Sequence, residues 1–134
     1  MGSIWSQTCS IGRRPPLRGH LKTQAAVVGA GMAGVLTAYA LQQAGLSVVV
    51  LEAGRIAGGQ TQNTTAKITS QHGLIYSRLI QSFGEETARR YAKANQDAVR
   101  AYQDLIDVQG ISCDWEERCA YLYGPDVTVL QEEA

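Results

Sequence analysis

Residues 25–52 read AAVVGAGMAGVLTAYALQQAGLSVVVLE, and this stretch decides the fold. Ala25-Ala26-Val27-Val28 is a short apolar run that stops at Gly29, which predicts a buried strand. Met32 to Ala44 is apolar almost all round, and a helix without a polar face is buried on most sides. Gly45 supplies the left-handed stop after it. Ser47 to Leu51 predicts a second strand, whose run of β-branched residues suits a parallel strand covered on both faces. Gly29, Gly31 and Gly34 form G-x-G-x-x-G between the first strand and the helix. The motif is weak alone and gains meaning from that position. Gly29 permits the tight turn, Gly31 lets the backbone approach a pyrophosphate, and Gly34 lets helix and strand pack closely. The free N–H groups at the helix start then face the phosphates. No lysine sits in the turn and no G-K-[ST] follows, which argues against a nucleotide-hydrolysing P-loop. Ala38 continues the small-residue face expected against the sheet. Glu52 directly follows the second strand, where a carboxylate accepts ribose hydroxyls and repels a 2′-phosphate, so NADP is disfavoured.

Composition bounds the rest. The chain has 134 residues, enough for one domain, with 45% apolar and 18% charged residues. Twelve basic and twelve acidic side chains balance, which points to neither a nucleic-acid nor a membrane partner. Arg13, Arg14, Arg18 and Lys22 form a basic cluster near the start, read either as a solvated leader or as a targeting segment. No apolar run suits a signal peptide or a spanning helix. Cys9, Cys113 and Cys119 are odd in number and lack C-x-x-C spacing, so free thiols in a reducing, cytoplasmic setting and no metal site are expected.

Four segments are expected: an irregular leader over 1–23, a dinucleotide-binding βαβ unit with a following loop over 24–73, a helical segment over 74–110, and the start of a further domain over 111–134. The loop from 53 to 73 is rich in Gly, Thr, Gln and Asn, and so long a loop is often functional. Leu74 to Phe83 reads as a helix. Ser82 and Glu85 then read as a capping box opening the longest helix, which Gly110 ends. Its buried stripe would comprise Ala88, Tyr91, Ala92, Asn95, Ala98, Val99, Tyr102, Leu105 and Ile106. A strand near Cys119 to Tyr123, a turn at Gly124-Pro125 and the beginning of another helix complete the reading.

The stretches 26–45 and 48–54, together with GGQTQNTTAKITSQHG over 58–73, resemble the FAD-dependent oxidoreductases of the D-amino-acid-oxidase and glycine-oxidase type. The 58–73 loop is the more specific part and resembles a bacterial subgroup whose longer members end in a Rieske iron–sulfur domain. Trp5 and Pro15-Pro16-Leu17 resemble the segment such proteins place before the first strand. The resemblance implies a Rossmann-like α/β FAD-binding unit, followed by helices and an incomplete second domain. It places Gly29, Ala30, Gly31, Met32, Ala33 and Gly34 at the FAD pyrophosphate, and Glu52 at the adenosine ribose with Ala53 beside it. Arg55 would lie near the adenine end. The loop from Gly58 to Lys67 would run along the pyrophosphate to the flavin, with Gly59, Thr61, Thr64, Thr65 and Ala66 as contacts. Some relatives attach flavin through a histidine in this loop; residues 58–67 have none, so non-covalent FAD is expected.

His72 is read as structural rather than as a flavin or substrate contact and His20 as a leader residue without a role, while Lys67 either neutralises a phosphate, sits near the flavin or is solvated. The implied activity is oxidation of a small amine or amino acid by hydride transfer to flavin. No catalytic residue is assigned, and the oligomeric state is left open. Two parallel strands make a poor core, so a fragment of a longer enzyme is expected. His20 and His72 are the only histidines and no Cys–His pair has the spacing of a Rieske ligand set, so such a domain would lie outside this chain. An NAD-binding dehydrogenase module and a truncated, non-catalytic product are the competing readings.

Overall fold

The computed structural model describes residues 2–133. Helix α1 (Ile4–Thr8) comes first, then strand β1 (Ala25–Val28), helix α2 (Met32–Gln43) and strand β2 (Val48–Leu51). A 3-10 turn (Gln60–Asn63) precedes helices α3 (Tyr76–Phe83), α4 (Glu85–Gln109) and α5 (Val127–Glu133). The chain divides into two compact units, one up to Ala66 and the other from Lys67 onward.

In the first unit β1 and β2 pair in parallel, with Ala25 opposite Val48 and Val28 opposite Leu51. Helix α2 crosses between them and packs on both strands. It presents Ala38 as its buried residue, the small side chain the sequence places against the sheet. The helix stops as its sequence requires. Gly45 adopts φ +83° and donates to the Gln42 carbonyl, while Leu46 donates to the Leu41 carbonyl. This pair of reversed bonds satisfies the last carbonyls of the helix.

Burial is thinner than the apolar sequence implies. Val35 on α2 and Val50 on β2 remain exposed, and Val28 is 85% exposed. The expectations of a helix buried on most sides, a buried first strand and a second strand covered on both faces are therefore corrected. One helix and two strands have too little surface between them to enclose either element, because the buried fraction of a chain grows with the number of packed layers.

The second unit is helical. Helix α4 runs from Glu85 to Gln109 and packs along α3. Its stripe is as expected, with Ala88 buried and Tyr91, Asn95, Val99, Tyr102, Leu105 and Ile106 half-buried, except that Ala98 faces solvent. Glu85–Arg89, Glu86–Arg90 and Lys93–Asp97 pairs line the exposed side at four-residue spacing. Gly110, in the left-handed region at φ +59°, closes the helix.

Three local expectations are corrected. The capping box does not form: Ser82 lies inside α3, and Gly84 at φ +81° breaks the chain between α3 and α4. A left-handed turn there costs glycine nothing, so it displaces the serine cap. The leader is not wholly irregular, because α1 occupies its start, with Ser3 Oγ accepting from the Trp5 amide. Cys119 to Tyr123 forms no strand, and Tyr123 is 95% exposed. A strand needs a ladder partner, and none of the described residues offers one there.

The C-terminal helix is tied back by one side chain. Glu133, 6% exposed, accepts hydrogen bonds from the Ile75, Tyr76 and Ser77 amides at 2.7, 2.8 and 2.9 Å. Burial pushes its carboxyl up, but these bonds at the start of α3 outweigh that and hold it below the ordinary carboxylate value. All three cysteines are free and exposed, and no described helix is long and apolar enough to cross a membrane.

Candidate functional site

The in-register pairing of the two strands builds the site. Because Val28 faces Leu51, the next residues, Gly29 and Glu52, emerge side by side at the C-terminal end of the sheet. Gly29 donates to the Leu51 carbonyl at 2.7 Å and turns at φ +99°, a conformation that L side chains rarely adopt. Gly34 is required by packing: a Cβ there would lie 1.9 Å from the Gly29 carbonyl oxygen. The first and third glycines thus close the strand-to-helix turn. Gly31 differs, since a Cβ at this position would meet only the Thr61 hydroxyl, at 3.4 Å. Its side faces the cleft and the loop beyond.

That loop is held on the turn from several points. The Ala57 amide donates to the Ala30 carbonyl at 2.9 Å. The Gly58 amide closes on the Arg55 carbonyl at 2.9 Å, and a Cβ on Gly58 would lie 2.9 Å from that oxygen. Thr61 Oγ1 accepts from the Met32 amide at 3.0 Å, so the 3-10 turn caps α2. Gln62 Nε2 donates to the Gly58 carbonyl, and Thr64 Oγ1 donates to the Thr61 carbonyl at 3.1 Å.

Glu52 accepts from the Ala30 amide through Oε2 and from the Gly54 amide through Oε1, both at 2.8 Å. The Ala30 bond first, and the Gly54 bond second, hold the carboxyl below its ordinary value, so it is ionised near neutrality. Each oxygen keeps a further lone pair for a hydroxyl donor.

A cleft of about 540 Å³ lies between these parts, within the range of small-molecule sites. From the turn, Gly29, Gly31, Met32, Ala33 and Gly34 line it. Glu52 and Arg55 line it after β2, and Gly59, Thr61 and Thr64 from the loop. The structure therefore gathers most of the expected residues around one space. Four others stand apart from its walls. Ala30 is buried beneath the turn and offers only its amide to Glu52. Ala53, Thr65 and Ala66 are exposed, and Ala66 sits at φ +55°. Val28, Gly58 and Gln60 also line the cleft. Sequence reasoning passed over them, although Gly58 and Gln60 fall inside the loop it singled out.

His72 and Lys67 belong to the second unit. His72 Nε2 lies 3.3 Å from Asn95 Oδ1, and its ring meets Tyr91 edge-on at 6.4 Å. It thus clusters with two side chains of α4. Among the described residues no group of His, Cys, Asp and Glu is placed to hold a metal.

The chemistry of the cleft follows from its walls. Beyond Met32, whose amide Thr61 caps, the first-turn amides of α2 have no preceding helical carbonyl to bond and attract anions. A glycine faces the space beside them, Arg55 adds a positive charge, and Glu52 accepts hydroxyl donors. This donor set fits a pyrophosphate flanked by a ribose, which is the shared part of FAD and NAD.

Comparison with known proteins agrees with that chemistry. Residues 24–134 match the model of the DAO family, FAD dependent oxidoreductase. The chain is 36% identical over 130 residues to the putative Rieske 2Fe-2S iron-sulfur protein YhfW of Bacillus subtilis, covering 97% of this chain and 26% of that protein. It is 30% identical over 89 residues to gamma-glutamylputrescine oxidoreductase of Escherichia coli, covering 66% of this chain and 21% of the enzyme. The probable oxidoreductase OrdL of Haemophilus influenzae is 26% identical over 108 residues, covering 81% and 25%. The chain thus spans about a quarter of the length of the curated relatives it matches. No solved structure matches it significantly. With the glycine turn, the carboxylate and the threonine-rich loop gathered on one cleft, and the family match running from β1 onward, the chain belongs to the FAD-dependent oxidoreductase family.

Proposed function

We propose that this chain is the FAD-binding part of an oxidoreductase that acts on small amines or amino acids. The observation that carries the reading is the convergence of three separate segments on one cleft: the start of α2, Glu52 and the loop around Thr61. In this proposal residues 24–73 form a Rossmann-like unit, 74–110 a helical segment, and 111–134 the start of the substrate domain. Gly29, Gly31 and Gly34, with Met32 beside them and the Ala33 amide, hold the pyrophosphate. Glu52 accepts the ribose hydroxyls, with Ala30 and Ala53 beside it, and Arg55 lies toward the adenine. Gly59, Thr61, Thr64, Thr65 and Ala66 run from the pyrophosphate to the flavin. FAD, when bound, would supply the redox chemistry, as the acceptor for a hydride from the carbon beside an amine nitrogen.

Attachment is non-covalent in this reading, because the 58–67 loop carries no histidine to form a bond. The amine substrate class draws on the E. coli relative, whose name specifies a glutamylated putrescine. We infer a cytoplasmic protein, from its three unpaired cysteines.

The test is a visible absorbance spectrum of the purified protein after FAD is added and the excess removed. Retained flavin, lost on Glu52→Ala with the circular dichroism unchanged, is the expected result. Retention of NADH with no retention of FAD would replace the reading with a nicotinamide-binding module.

A further inference from the structure

We infer that helix α1 is a strap that holds the cofactor loop in its binding position, with Trp5 as the positioning residue. The inference rests on the FAD reading above for what the loop contacts, and on local geometry for the strap itself. Residues 1–23 precede the family match, which begins at residue 24.

Two side chains of α1 reach the loop across 59 residues of sequence. Trp5 Nε1 donates to the Thr64 carbonyl at 2.7 Å. Ser3 Oγ donates to the Gln62 carbonyl while accepting from the Trp5 amide at 3.2 Å. One hydroxyl thus caps α1 and ties it to the loop, using both its donor and an acceptor lone pair. The Trp5 ring also lines an apolar hollow of about 200 Å³ with Ile11 and Ile56.

Neither partner is stable by itself. A five-residue helix is far below the length at which helices persist in water. A four-residue 3-10 turn has poor hydrogen-bond geometry and no length to compensate. Each therefore depends on the other. The turn also has two sides. The Gln62 and Thr64 carbonyls receive α1, and the Thr61 hydroxyl caps the Met32 amide at the start of α2. Loosening the first side releases the second, so α1 sets how firmly the loop walls the cleft without touching the cofactor.

The test compares wild type with Trp5→Phe, which keeps a ring but loses the N–H, and with Trp5→Ala, in the full 134-residue chain. Hydrogen exchange is followed on peptides covering 57–66 and 85–109 without FAD, and FAD affinity is then titrated. Loss of one such bond predicts exchange about fivefold faster in 57–66 and FAD binding about threefold weaker for Trp5→Phe. Trp5→Ala should be larger in both, with 85–109 unchanged. Unchanged exchange in 57–66 for both variants would overturn the strap. Faster exchange with wild-type FAD affinity would overturn its role in binding. Failure of wild type to bind FAD would instead sink the cofactor reading, leaving the exchange result to decide the strap alone.

Discussion

Gly34→Ala gives the sharpest test of how the glycine turn is built. The new Cβ would sit 1.9 Å from the Gly29 carbonyl oxygen, more than 1 Å inside the 3.0 Å closest approach of real Cβ atoms. The obstacle is backbone, so no side chain can rotate away. Either α2 lifts from the strand or Gly29 moves. Overpacking of this kind costs about 1–3 kcal/mol. Shifting Gly29 also breaks its 2.7 Å bond to the Leu51 carbonyl, at about 1 kcal/mol more. Alanine returns about 1 kcal/mol through its higher helix propensity. The net loss is about 1–3 kcal/mol. Urea unfolding is followed by the fluorescence of Trp5, in a Trp115→Phe background so that the first unit alone reports. At an m-value of about 2 kcal/mol/M the midpoint should fall by about 0.5–1.5 M. Gly12→Ala is the control, since nothing lies within 4 Å of its Cβ position and its midpoint should not move. An unmoved midpoint for Gly34→Ala, with the same slope, would show that the helix and turn do not approach as closely as described here.

Other expectations concern single contacts. The Glu52 carboxyl titrates below its ordinary value because the Ala30 and Gly54 amides favour its charge. Its contribution is therefore full above the ordinary glutamate value of about 4.3 and is lost as pH falls through the lowered value. FAD should be released over the same acid window, and Glu52→Gln should remove that component from a flavin-fluorescence titration. Glu133→Gln leaves one of the three α3 amides facing an NH2 group. It should lower the stability of the second unit by about 1–3 kcal/mol, read from the near-ultraviolet signal of Tyr76 and Tyr91 on urea unfolding. Thr61→Val keeps the shape of the side chain but removes the acceptor on the Met32 amide. A severalfold weaker FAD affinity is expected, with the unfolding midpoint shifted by less than about 0.5 M; equal affinity would show that the threonine is only a spacer.

The amino-acid sequence alone determined the parts whose causes are local. The two strands, α2 and its Gly45 stop follow from apolar runs and from a residue that tolerates positive φ. The three glycines are legible because their spacing falls at a strand-to-helix turn, and Glu52 because it directly follows the second strand. The buried stripe of α4 is legible for the same reason, as helical spacing repeats every turn. Only the tertiary structure decided what distant residues do to one another. Glu52 engages the Ala30 amide, Thr61 caps α2, Trp5 reaches Thr64, and Glu133 caps α3; none has a signature within a window of neighbours. The failed expectations share that origin. Cys119 to Tyr123 has the composition of a strand but pairs with no strand among the described residues, and Ser82 has the spacing of a cap but lies inside a helix that ends at Phe83. Propensity and spacing specify what a segment favours, whereas the final arrangement depends on which hydrogen-bond partners and apolar surfaces the rest of the fold brings within reach.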